Sequence, residues 1–392
     1  MNIVFFSHPS FLHHQSMPRF SFMLSNGMIA RGHSVKILSP KALVYTPNAP
    51  VVFRKWLSYI DQYLLFPLQV RKSIKSFPAD TLFVFTDHAL GPWVPLVAER
   101  PHVIHCHDFL AQRSALQEVS ENSVGWTGRQ YQQLIRWGYT HGKNFISVSQ
   151  KTKEDLHRFL TYQPYSSEVV YNGLNQLFVP SSIAKARVIM VKKFKIQVSN
   201  GYFLHVGGNQ WYKNRRGVIE IYNAWRATAK LSIPLILIGE PPSNNLADII
   251  RNSPFFADIY VLSGVGDKYI PLAYTGASAF VFPSLAEGFG WPIAEAMASA
   301  CPVITTNEAP MTEVAGDAGF FIPRRPDNND AAKVWAAEAA KVLDTVLRLS
   351  PTERQIVIEA GLTNAKRFNT ESVLNQIEKI YENVLKASSI ST

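Results

Sequence analysis

The sequence predicts an α/β protein built from two doubly wound domains with parallel sheets. Short apolar runs, rich in β-branched and aromatic residues, alternate with longer amphipathic stretches. These runs are apolar at nearly every position, as strands are when helices cover both faces of a parallel sheet. The same rhythm repeats in each half of the 392-residue chain. That length allows two or three domains.

Twelve predicted strands divide equally between the two halves. They cover residues 2–6, 34–38, 81–85, 102–106, 144–148 and 168–171, then 202–206, 234–238, 259–263, 279–283, 302–306 and 319–323. We predict a Rossmann-like N-terminal domain over 1–180 and a Rossmann-like C-terminal domain over 195–369. The last helix, about 370–392, is a candidate to pack back on the first domain. Because ligands of open parallel sheets bind at the carboxyl ends of strands, residues directly after strands are the site candidates.

The charge and the cysteine content of the chain indicate what kind of partner it binds and in which compartment it resides. The net charge of +10 favours anionic partners such as nucleotide phosphates, nucleic acid or anionic lipid. The two cysteines, Cys106 and Cys301, border apolar runs and are predicted to be buried thiols in a reducing compartment. The N-terminus lacks the basic and long apolar regions of a signal peptide. We therefore expect a cytoplasmic protein without a spanning helix.

Two glutamates frame a glycine-rich turn in the stretch "FPSLAEGFGWPIAEAMASACPVITT" (282–306). The strand 279–283 stops at its proline, and Trp291 followed by proline opens a helix, because proline is tolerated in the first helical turn. Glu287 therefore lies in the loop at the carboxyl end of the strand, and Glu295 lies about one turn into the helix. Both carboxylates can face one ligand.

The turn between the glutamates suits a ligand with phosphate or hydroxyl groups. Gly288 and Gly290 leave backbone N–H groups uncovered at the N-terminus of a helix. A nucleotide sugar needs such a site, with one carboxylate for the sugar hydroxyls and another for the ribose. The alternative is that Glu287 merely begins a helix and that Glu295 lies on a solvated face. The apolar residues that flank Glu295 argue against it.

The segment "EGFGWPIAE" resembles the E-x7-E signature of retaining GT-B glycosyltransferases of family 4. The resemblance continues over residues 279–323 and, more weakly, over 203–214, 169–180, 103–109 and 146–156. It implies the GT-B fold, in which two Rossmann-like domains face each other across a cleft. It also implies transfer of a hexose from a nucleotide diphosphate sugar to an acceptor hydroxyl, with retained anomeric configuration and without a metal or another cofactor.

The resemblance also implies roles for individual residues. Glu287 would contact the hydroxyls of the donor sugar, Lys213 would neutralise the diphosphate, and His107 would lie near the reacting sugar. The alternative for His107 is a histidine packed at a strand end. The implied donor-binding set is Gly207, Gly208, Lys213, Asn214, Gly239, Val265, Glu287, Gly288, Phe289, Gly290 and Glu295.

Two features depart from the family pattern. Gly208 stands where many members carry an arginine beside the diphosphate, so the second cation is open, with Arg215 and Arg216 nearby in sequence. The loop "SHPSFLHHQSMPRF" (7–20) replaces a Gly-Gly pair. Acceptor-side candidates are His13, His14, Arg19 and Asp108. No carboxylate or cysteine accompanies the histidines of this loop, so we expect no metal site.

The segment 51–77 is basic, aromatic and amphipathic. Such a stretch can lie on an anionic membrane surface. It can equally be a core helix with a solvated basic face, or it can line an acceptor pocket. We therefore keep a peripheral position on the cytoplasmic face of a membrane as an expectation.

The leading hypothesis is a metal-independent, retaining hexosyltransferase that acts in cell-surface polysaccharide or glycolipid synthesis. No carboxylate of the N-terminal half stands out as a nucleophile, so the resemblance implies a front-face mechanism. The alternatives are a non-catalytic glycan- or nucleotide-binding protein and a nucleotide-sugar epimerase of the same fold. Nucleic acid is not an expected partner, and a dehydrogenase would need a G-x-G-x-x-G after a strand. Similarity to mannosyltransferases favours GDP-mannose, with a UDP-sugar as the other option and a glycan or lipid-linked acceptor.

Overall fold

The computed structural model describes residues 1–12 and 16–390. The chain forms two compact units, the first comprising Met1–Tyr171 and Glu371–Thr392, the second Asn172–Thr370. Each unit contains one six-stranded sheet in which every neighbouring pair is parallel. All twelve predicted strands are confirmed to within two residues, and so is the doubly wound α/β class.

The sheet of the first unit has the order β2-β1-β3-β4-β5-β6. Its strands are β1 (Asn2–Phe6), β2 (Ser34–Leu38), β3 (Leu82–Phe85), β4 (His102–Cys106), β5 (Asn144–Ser147) and β6 (Ser166–Val169). The helices between them are α1 (Ser16–Ala30), α2 (Val51–Ile60), α3 (Phe66–Ile74), α4 (Leu110–Ala115), α5 (Trp126–Tyr139) and α6 (Gln150–Phe159). A π-helical turn, Asp61–Leu65, joins α2 to α3.

The first strand shows why this sheet is covered on both faces. Successive side chains of a strand point to opposite faces. Val4 and Phe6 pack in one buried cluster, and Ile3 and Phe5 pack in another. Because both faces are apolar, helices must cover both, which is the condition for a buried parallel sheet.

The sheet of the second unit has the order β12-β11-β10-β7-β8-β9. Helix α7 (Ile183–Phe194) precedes β7 (Phe203–Val206), β8 (Leu235–Gly239), β9 (Ile259–Ser263), β10 (Ala279–Phe282), β11 (Val303–Thr306) and β12 (Gly319–Ile322). The helices that follow are α8 (Arg215–Thr228), α9 (Asn244–Arg251), α10 (Ile270–Gly276), α11 (Trp291–Ala298), α12 (Met311–Ala315), α13 (Asn329–Arg348) and α14 (Pro351–Ala365). Trp225 on α8 and Trp335 on α13 pack in the core of this unit.

The last helix, α15 (Thr370–Ile390), contributes to the core of the first unit. Its buried side chains Leu374, Ile377 and Tyr381 pack in the same cluster as Ile3 and Phe5. The hydroxyl of Tyr381 lies 2.7 Å from the Nε2 atom of His105 on β4. The helical pattern of the tail is thus confirmed.

The strand orders place one topological switch point in each sheet. In the first unit, β1 pairs with β2 on one side and with β3 on the other. In the second unit, β7 pairs with β8 on one side and with β10 on the other. Chain connections leave these points in opposite directions, which opens a crevice at the carboxyl ends of the strands. The two crevices, β1/β3 and β7/β10, are the places where each fold can hold a ligand.

Both cysteines are buried and carry free thiols, as predicted. Burial raises the pKa of the Cys301 thiol to about 12, so this group is an inert, neutral side chain. Within the described part of the chain, we find no helix with the length and apolar character needed to cross a bilayer.

Candidate active site

Lys213 reaches the β7/β10 crevice through a tight connection between β7 and α8. A 3₁₀ turn, Trp211–Lys213, follows the glycine loop, and Asn214 then adopts a left-handed conformation with φ 49°. Asparagine tolerates this region better than most residues. Its Oδ1 accepts a hydrogen bond from Gly217 N at 3.1 Å, and its Nδ2 donates to the carbonyl of Pro283 at 2.8 Å. Asn214 therefore caps α8 and joins its start to the end of β10.

Lys213 and Glu287 form an ion pair across this crevice. Lys213 Nζ lies 2.7 Å from Glu287 Oε1, and the two side chains are 15% and 8% exposed. The Oγ atom of Ser284 lies 2.7 Å from the same carboxylate oxygen and 2.7 Å from the carbonyl oxygen of Tyr212. Its single proton can serve only one of them at a time. The carboxylate is thus held by one charged donor and, part of the time, by one neutral donor.

Two aromatic rings support the ammonium group of Lys213. The Nζ atom lies 5.2 Å from the ring centre of Tyr212 and 5.1 Å from that of Phe282. Cation–π contacts at such distances contribute on the order of 0.5–1 kcal/mol each when the group is partly exposed. They hold the lysine in position whether its partner is Glu287 or a bound anion.

The residues after Glu287 form a glycine turn that leads into a helix, as the sequence predicted. Gly290 has φ 99°, a conformation that favours glycine, and α11 begins at Trp291 with proline in its first turn. The Phe289 side chain is buried and packs edge-on against Phe368 at 5.3 Å. Because the Phe289 side chain points into the core, the backbone of the turn is the part that lines the crevice.

Glu295 lies one turn into α11 and is oriented by a buried tyrosine. The hydroxyl of Tyr274 donates to Glu295 Oε2 at 3.0 Å. Burial, and then the nearby carboxylate, raise the pKa of Tyr274 well above its ordinary value. Tyr274 therefore stays protonated and acts only as a donor here, which fixes the direction of the carboxylate.

Close approach of two strand ends explains the glycines of the β7 and β8 loops. Gly239 has φ 152°, and a Cβ atom placed on it would lie 2.0 Å from the carbonyl oxygen of Gly207. A Cβ on Gly207 would lie 2.9 Å from His205 Nε2. At Gly208 a Cβ would meet only the flexible side chain of Gln210. Gly239 and Gly207 are thus required by packing, whereas Gly208 is not.

Arg215, at the start of α8, is buried, and only some of its hydrogen-bond donors have partners. Its Nη1 donates to Asn209 Oδ1 at 2.8 Å and to the carbonyl of Glu240 at 3.0 Å. Within the described residues, its Nε and Nη2 atoms have no hydrogen-bond partner. Each such buried donor costs about 1–3 kcal/mol. A nearby anion would remove that cost.

Arg216 has a different environment although it is the next residue. It is about half exposed and pairs with Glu220 at 2.7 Å and with Asn329 Oδ1 at 3.0 Å. Of the two arginines named as candidates for a second cation, only Arg215 has buried donors without a hydrogen-bond partner among the described residues.

His205 is a buried neutral group beneath the glycine loop. Its Nδ1–H donates to the carbonyl of Val281 at 2.9 Å. Burial, together with the nearby charges of Arg215 and Lys213, lowers the pKa of His205 to about 3, against the raising effect of that hydrogen bond. Sequence patterns did not identify His205, because a histidine in the middle of an apolar strand resembles a packed core residue. Val265 follows β9, where Gly264 has φ 67°.

The remaining predicted site residues lie in the first unit. His107 is buried at the end of β4, and its Nε2 lies 2.9 Å from the carbonyl of Thr86. Burial lowers the pKa of His107, against the effect of Asp87. Asp108 Oδ1 accepts from Leu110 N at 3.0 Å at the start of α4. Arg19 is an exposed residue of α1. His13 and His14 lie outside the described residues.

A polar cluster that the sequence patterns did not indicate lies at the β1/β3 crevice. His8 follows β1, and Asp87 and His88 follow β3. His8 Nε2 lies 2.9 Å from Asp87 Oδ2, and His88 Nδ1 lies 3.0 Å from Asp87 Oδ1. The signal was available, because all three residues come directly after predicted strands.

The predicted amphipathic segment, residues 51–77 of the first unit, has a buried face and an exposed face. Asp61 in the π-helical turn accepts hydrogen bonds from the backbone N–H groups of residues 43–45 at 2.8–3.3 Å. This face of the segment is buried. The opposite face carries an exposed stripe in which apolar residues recur every four positions: Val52, Trp56, Ile60, Leu64 and Leu68. Exposed basic residues border it: Lys55, Arg71, Lys72 and Lys75.

Two family models match the chain, one in each half. The model "Glycosyltransferase Family 4" matches residues 17–176, and the model "Glycosyl transferases group 1" matches residues 189–344. Together they span most of the chain.

Individual relatives agree with this assignment. The chain is 28% identical over 242 residues to O-antigen chain mannosyltransferase B of Escherichia coli, covering 61% of this chain and 60% of the relative. It is 26% identical over 203 residues to O-antigen chain mannosyltransferase RfbU of Salmonella typhimurium, covering 52% and 51%. The matches thus span little more than half the length of these relatives.

A solved structure shows the same fold. HepE of Anabaena, in complex with UDP and glucose, superposes with a TM-score of 0.69 at 16% identity, covering 97% of this chain and 98% of that chain. At this identity the likeness concerns the fold alone. The two matching models and the shared architecture establish that the chain belongs to the family 4 glycosyltransferases, with the GT-B fold.

Proposed function

We propose that the protein is a hexosyltransferase that uses a nucleotide diphosphate sugar as donor and a glycan or lipid-linked hydroxyl as acceptor. The observation that carries the proposal is the Lys213–Glu287 ion pair across the β7/β10 crevice. A lysine at the N-terminus of α8 suits a diphosphate, and a carboxylate beside a glycine turn suits sugar hydroxyls. The two relatives named above are O-antigen chain mannosyltransferases, which favours mannose as the sugar and surface polysaccharide as the product.

The ion pair defines what must happen when the donor binds. Lys213 leaves Glu287 for the diphosphate, and Glu287 then accepts hydrogen bonds from the hexose. Helix N-termini and Lys213 offset the charge that grows on the leaving diphosphate. Glu295, directed by Tyr274, accepts from the ribose hydroxyls. In this mechanism the chain contributes orientation and charge stabilisation, the anomeric configuration is retained, and no metal is required.

Thermal stability in the presence of nucleotides tests this proposal. The purified protein is heated with GDP, UDP, ADP and their sugars, first with a chelator and then with Mg²⁺. A ligand at 100 times its Kd adds about 2.7 kcal/mol to the unfolding free energy. We expect stabilisation by one base, GDP in the favoured case, and equally with and without Mg²⁺. If no nucleotide stabilised the protein, a glycan-binding protein without transferase activity would become the better interpretation.

We also propose that the exposed stripe of α2 and α3 lies on an anionic membrane surface. Exposed apolar patches of this kind mark interaction sites, and the basic residues beside the stripe complement anionic lipid. A lipid-linked acceptor would then be presented at the surface on which the enzyme lies.

Vesicle sedimentation tests the membrane proposal. Vesicles of phosphatidylcholine with roughly a third of anionic phosphatidylglycerol should bind the protein, and vesicles of phosphatidylcholine alone should bind it weakly. Leu64→Glu should reduce binding at least about tenfold, because a charge replaces a buried apolar contact. Ile356→Glu is the matched control, since Ile356 is similarly exposed on α14. Equal losses in both variants would contradict the proposal.

A further inference from the structure

Two short segments carry the chain into and out of the second unit, and they lie side by side. The entry segment, 172–174, begins where the unit begins, and the exit segment, 368–370, ends where the unit ends. Leu174 N donates to the carbonyl of Phe368 at 2.8 Å, and the Thr370 hydroxyl donates to the carbonyl of Leu174 at 2.7 Å. The two segments are therefore held together by hydrogen bonds in both directions.

The entry segment is closely packed, and one of its polar atoms lacks a partner. A Cβ atom on Gly173 would lie 2.9 Å from Thr370 Oγ1 and 3.2 Å from Thr370 Cα, so a larger residue would push the two segments apart. Asn172 is buried, and among the residues that the structure describes its Oδ1 atom has no hydrogen-bond partner. Leaving a buried acceptor without a donor is unfavourable. The entry segment therefore depends on its neighbours for its order.

The glycine turn after Glu287 contacts both segments. The Phe289 ring packs edge-on against Phe368 of the exit segment at 5.3 Å, and both rings are buried. Trp291 Nε1 donates to the carbonyl of Gly173 in the entry segment at 3.3 Å. The rings of Phe289 and Trp291 also meet each other edge-on at 6.1 Å. Two neighbouring aromatic side chains thus join the turn to the points where the chain enters and leaves the unit.

Residues of two kinds alternate along this turn. Gly288 and Gly290 have no side chains, and in the proposed mechanism their backbone faces the donor. Phe289 and Trp291 lie between and after them and make the contacts to the exit and entry segments. A ligand that fixes the backbone of the turn also fixes the direction of these two rings, because each ring is attached to that backbone.

A purely structural role explains the packing of Phe289 but not the hydrogen bond of Trp291. A buried ring such as Phe289 stabilises the core of any unit. Trp291 is only half-buried. An indole N–H at such a position has no need of a protein acceptor, since water can accept from it. Trp291 donates instead to a carbonyl 118 residues away in the chain.

We propose that Trp291 and Phe289 are positioning residues that couple occupation of the glycine turn to the order of the entry and exit segments, an inference that rests on the proposed glycosyltransferase function. The occupant is the nucleotide sugar. With the donor bound, the turn holds both rings in place, and the two segments open less often. Such coupling is reciprocal, so ordered segments raise the affinity of the turn for the donor by the same factor.

Hydrogen exchange in the full-length protein measures this coupling. The reporter is the Leu174 amide, which exchanges only when its hydrogen bond to Phe368 opens. Exchange is followed by mass spectrometry without ligand and with saturating GDP-mannose, or with UDP-glucose if a uridine nucleotide stabilises the protein. We expect the ligand to slow exchange at Leu174 about tenfold in wild type. Trp291→Phe keeps a ring and removes the indole donor, and it should reduce this slowing to less than about twofold.

Trp335→Phe is the matched control. Trp335 lies on α13 of the same unit, and its Nε1 donates to the carbonyl of Pro323 at 2.7 Å. The variant loses the same kind of hydrogen bond but should keep the wild-type slowing by ligand. The readout is the ratio of exchange rates with and without ligand, because general weakening accelerates exchange in both states. A wild-type ratio in Trp291→Phe, or an equal loss in both variants, would overturn the inference.

Reciprocity gives a second test at a residue outside the turn. Thr370→Val removes the hydroxyl bond to Leu174 and keeps the shape of the side chain. Thr370→Val and Trp291→Phe should each weaken GDP-mannose binding about three- to tenfold in calorimetry, and the double variant should bind no more weakly than Trp291→Phe alone. Additive losses would show that the two residues act independently and would contradict the coupling.

Thr228→Val is the control for this measurement. The Thr228 hydroxyl donates to the carbonyl of Trp225 at 3.2 Å on α8. Its loss should leave the affinity for GDP-mannose at the wild-type value. Weakening equal to that of Thr370→Val would assign both effects to the stability of the unit and overturn the inference.

Failure of the coupling and failure of the donor site give different results. If wild type bound a nucleotide sugar without slower exchange at Leu174, the coupling would be wrong and the proposed function would stand. If wild type bound no nucleotide, the proposed function would fail and the coupling with it.

Discussion

At the β7/β10 crevice a lysine pairs with a glutamate, and at the β1/β3 crevice a histidine pairs with an aspartate. The contacts measure 2.7 Å and 2.9 Å and span the same topological position in two sheets of different strand order. The loops differ in composition: two glycines follow β7 and a glycine ends β8, whereas Ser-His and Thr-Asp-His follow β1 and β3. Glycines and a permanent cation allow backbone and charge to approach a phosphate. Imidazoles with a carboxylate favour neutral hydroxyls.

The two crevices arise from one fold principle but carry different side chains. The reversal of chain direction creates the crevice, and this depends only on strand order. What the crevice binds depends on the few residues directly after the strands. Function therefore depends on these residues and not on the fold alone.

The largest expected effect concerns the lysine–glutamate crevice. Glu287→Ala and Lys213→Ala should each lower transfer at least about 100-fold, because each removes a charged contact to the transition state. Rates with the nucleotide sugar that stabilises wild type would be compared with those of Glu338→Ala and Lys341→Ala. That exposed ion pair, at 2.6 Å in the same unit, is the matched control. If the Glu287→Ala variant folded and transferred sugar at the wild-type rate, Glu287 would not belong to the transfer site.

A double-mutant cycle tests whether Lys213 changes partners. Lys213→Met, Glu287→Gln and the double variant should give a coupling free energy of about 1–3 kcal/mol in urea unfolding without ligand. With saturating nucleotide diphosphate the coupling should fall, because the lysine then binds phosphate. If nucleotide diphosphate left the coupling free energy between Lys213 and Glu287 unchanged, the lysine would not exchange its carboxylate partner for phosphate.

The two adjacent arginines provide the next comparison. Arg215→Met should weaken nucleotide diphosphate binding about tenfold, or about 1.4 kcal/mol, if its unsatisfied donors reach the diphosphate. Arg216→Met should change it little, because Arg216 is exposed and paired with Glu220. Calorimetric titration with the nucleoside, which lacks the diphosphate, tests whether Arg215 acts on the phosphates or only holds the loop. Equal losses for nucleoside and diphosphate would assign Arg215 to holding the loop through Asn209 and Glu240.

The smallest expected effect concerns Asp87 and pH. Because the folded pKa of Asp87 is lowered, its carboxylate adds stability above the ordinary carboxyl pKa, near 3.9 in unfolded chains. That stability is lost as pH falls through the folded pKa. Wild type should therefore lose unfolding free energy more steeply than Asp87→Asn below about pH 4. Parallel urea midpoints from pH 5 to pH 3 would show that the imidazoles do not stabilise the charge.

The strands were predictable because their signal is local. Runs such as residues 2–6 and 279–283 are apolar at successive positions, and all twelve strands lie within two residues of their predicted ranges. The start of α11 at Trp291 was predictable for the same reason, since a proline in the first turn and a preceding glycine mark it.

The polar network around Arg215 was not predictable. In the sequence, Arg215 and Arg216 are equivalent residues at a helix start. Burial of the first depends on Asn209 and on the carbonyl of Glu240, which come from two different strand loops. Propensity and periodicity contain no information about which of two neighbours turns inward.

The sequence by itself determined the class of the fold, the family signature around Glu287 and Glu295, and the position of Lys213 after a strand. Only the tertiary structure decided which of these groups meet. Lys213 and Glu287 are 74 residues apart, and His8 and Asp87 are 79 residues apart. Their contacts exist because β7 lies beside β10 and β1 lies beside β3. Strand order is set by the packing of whole helices and sheets, and no short segment encodes it.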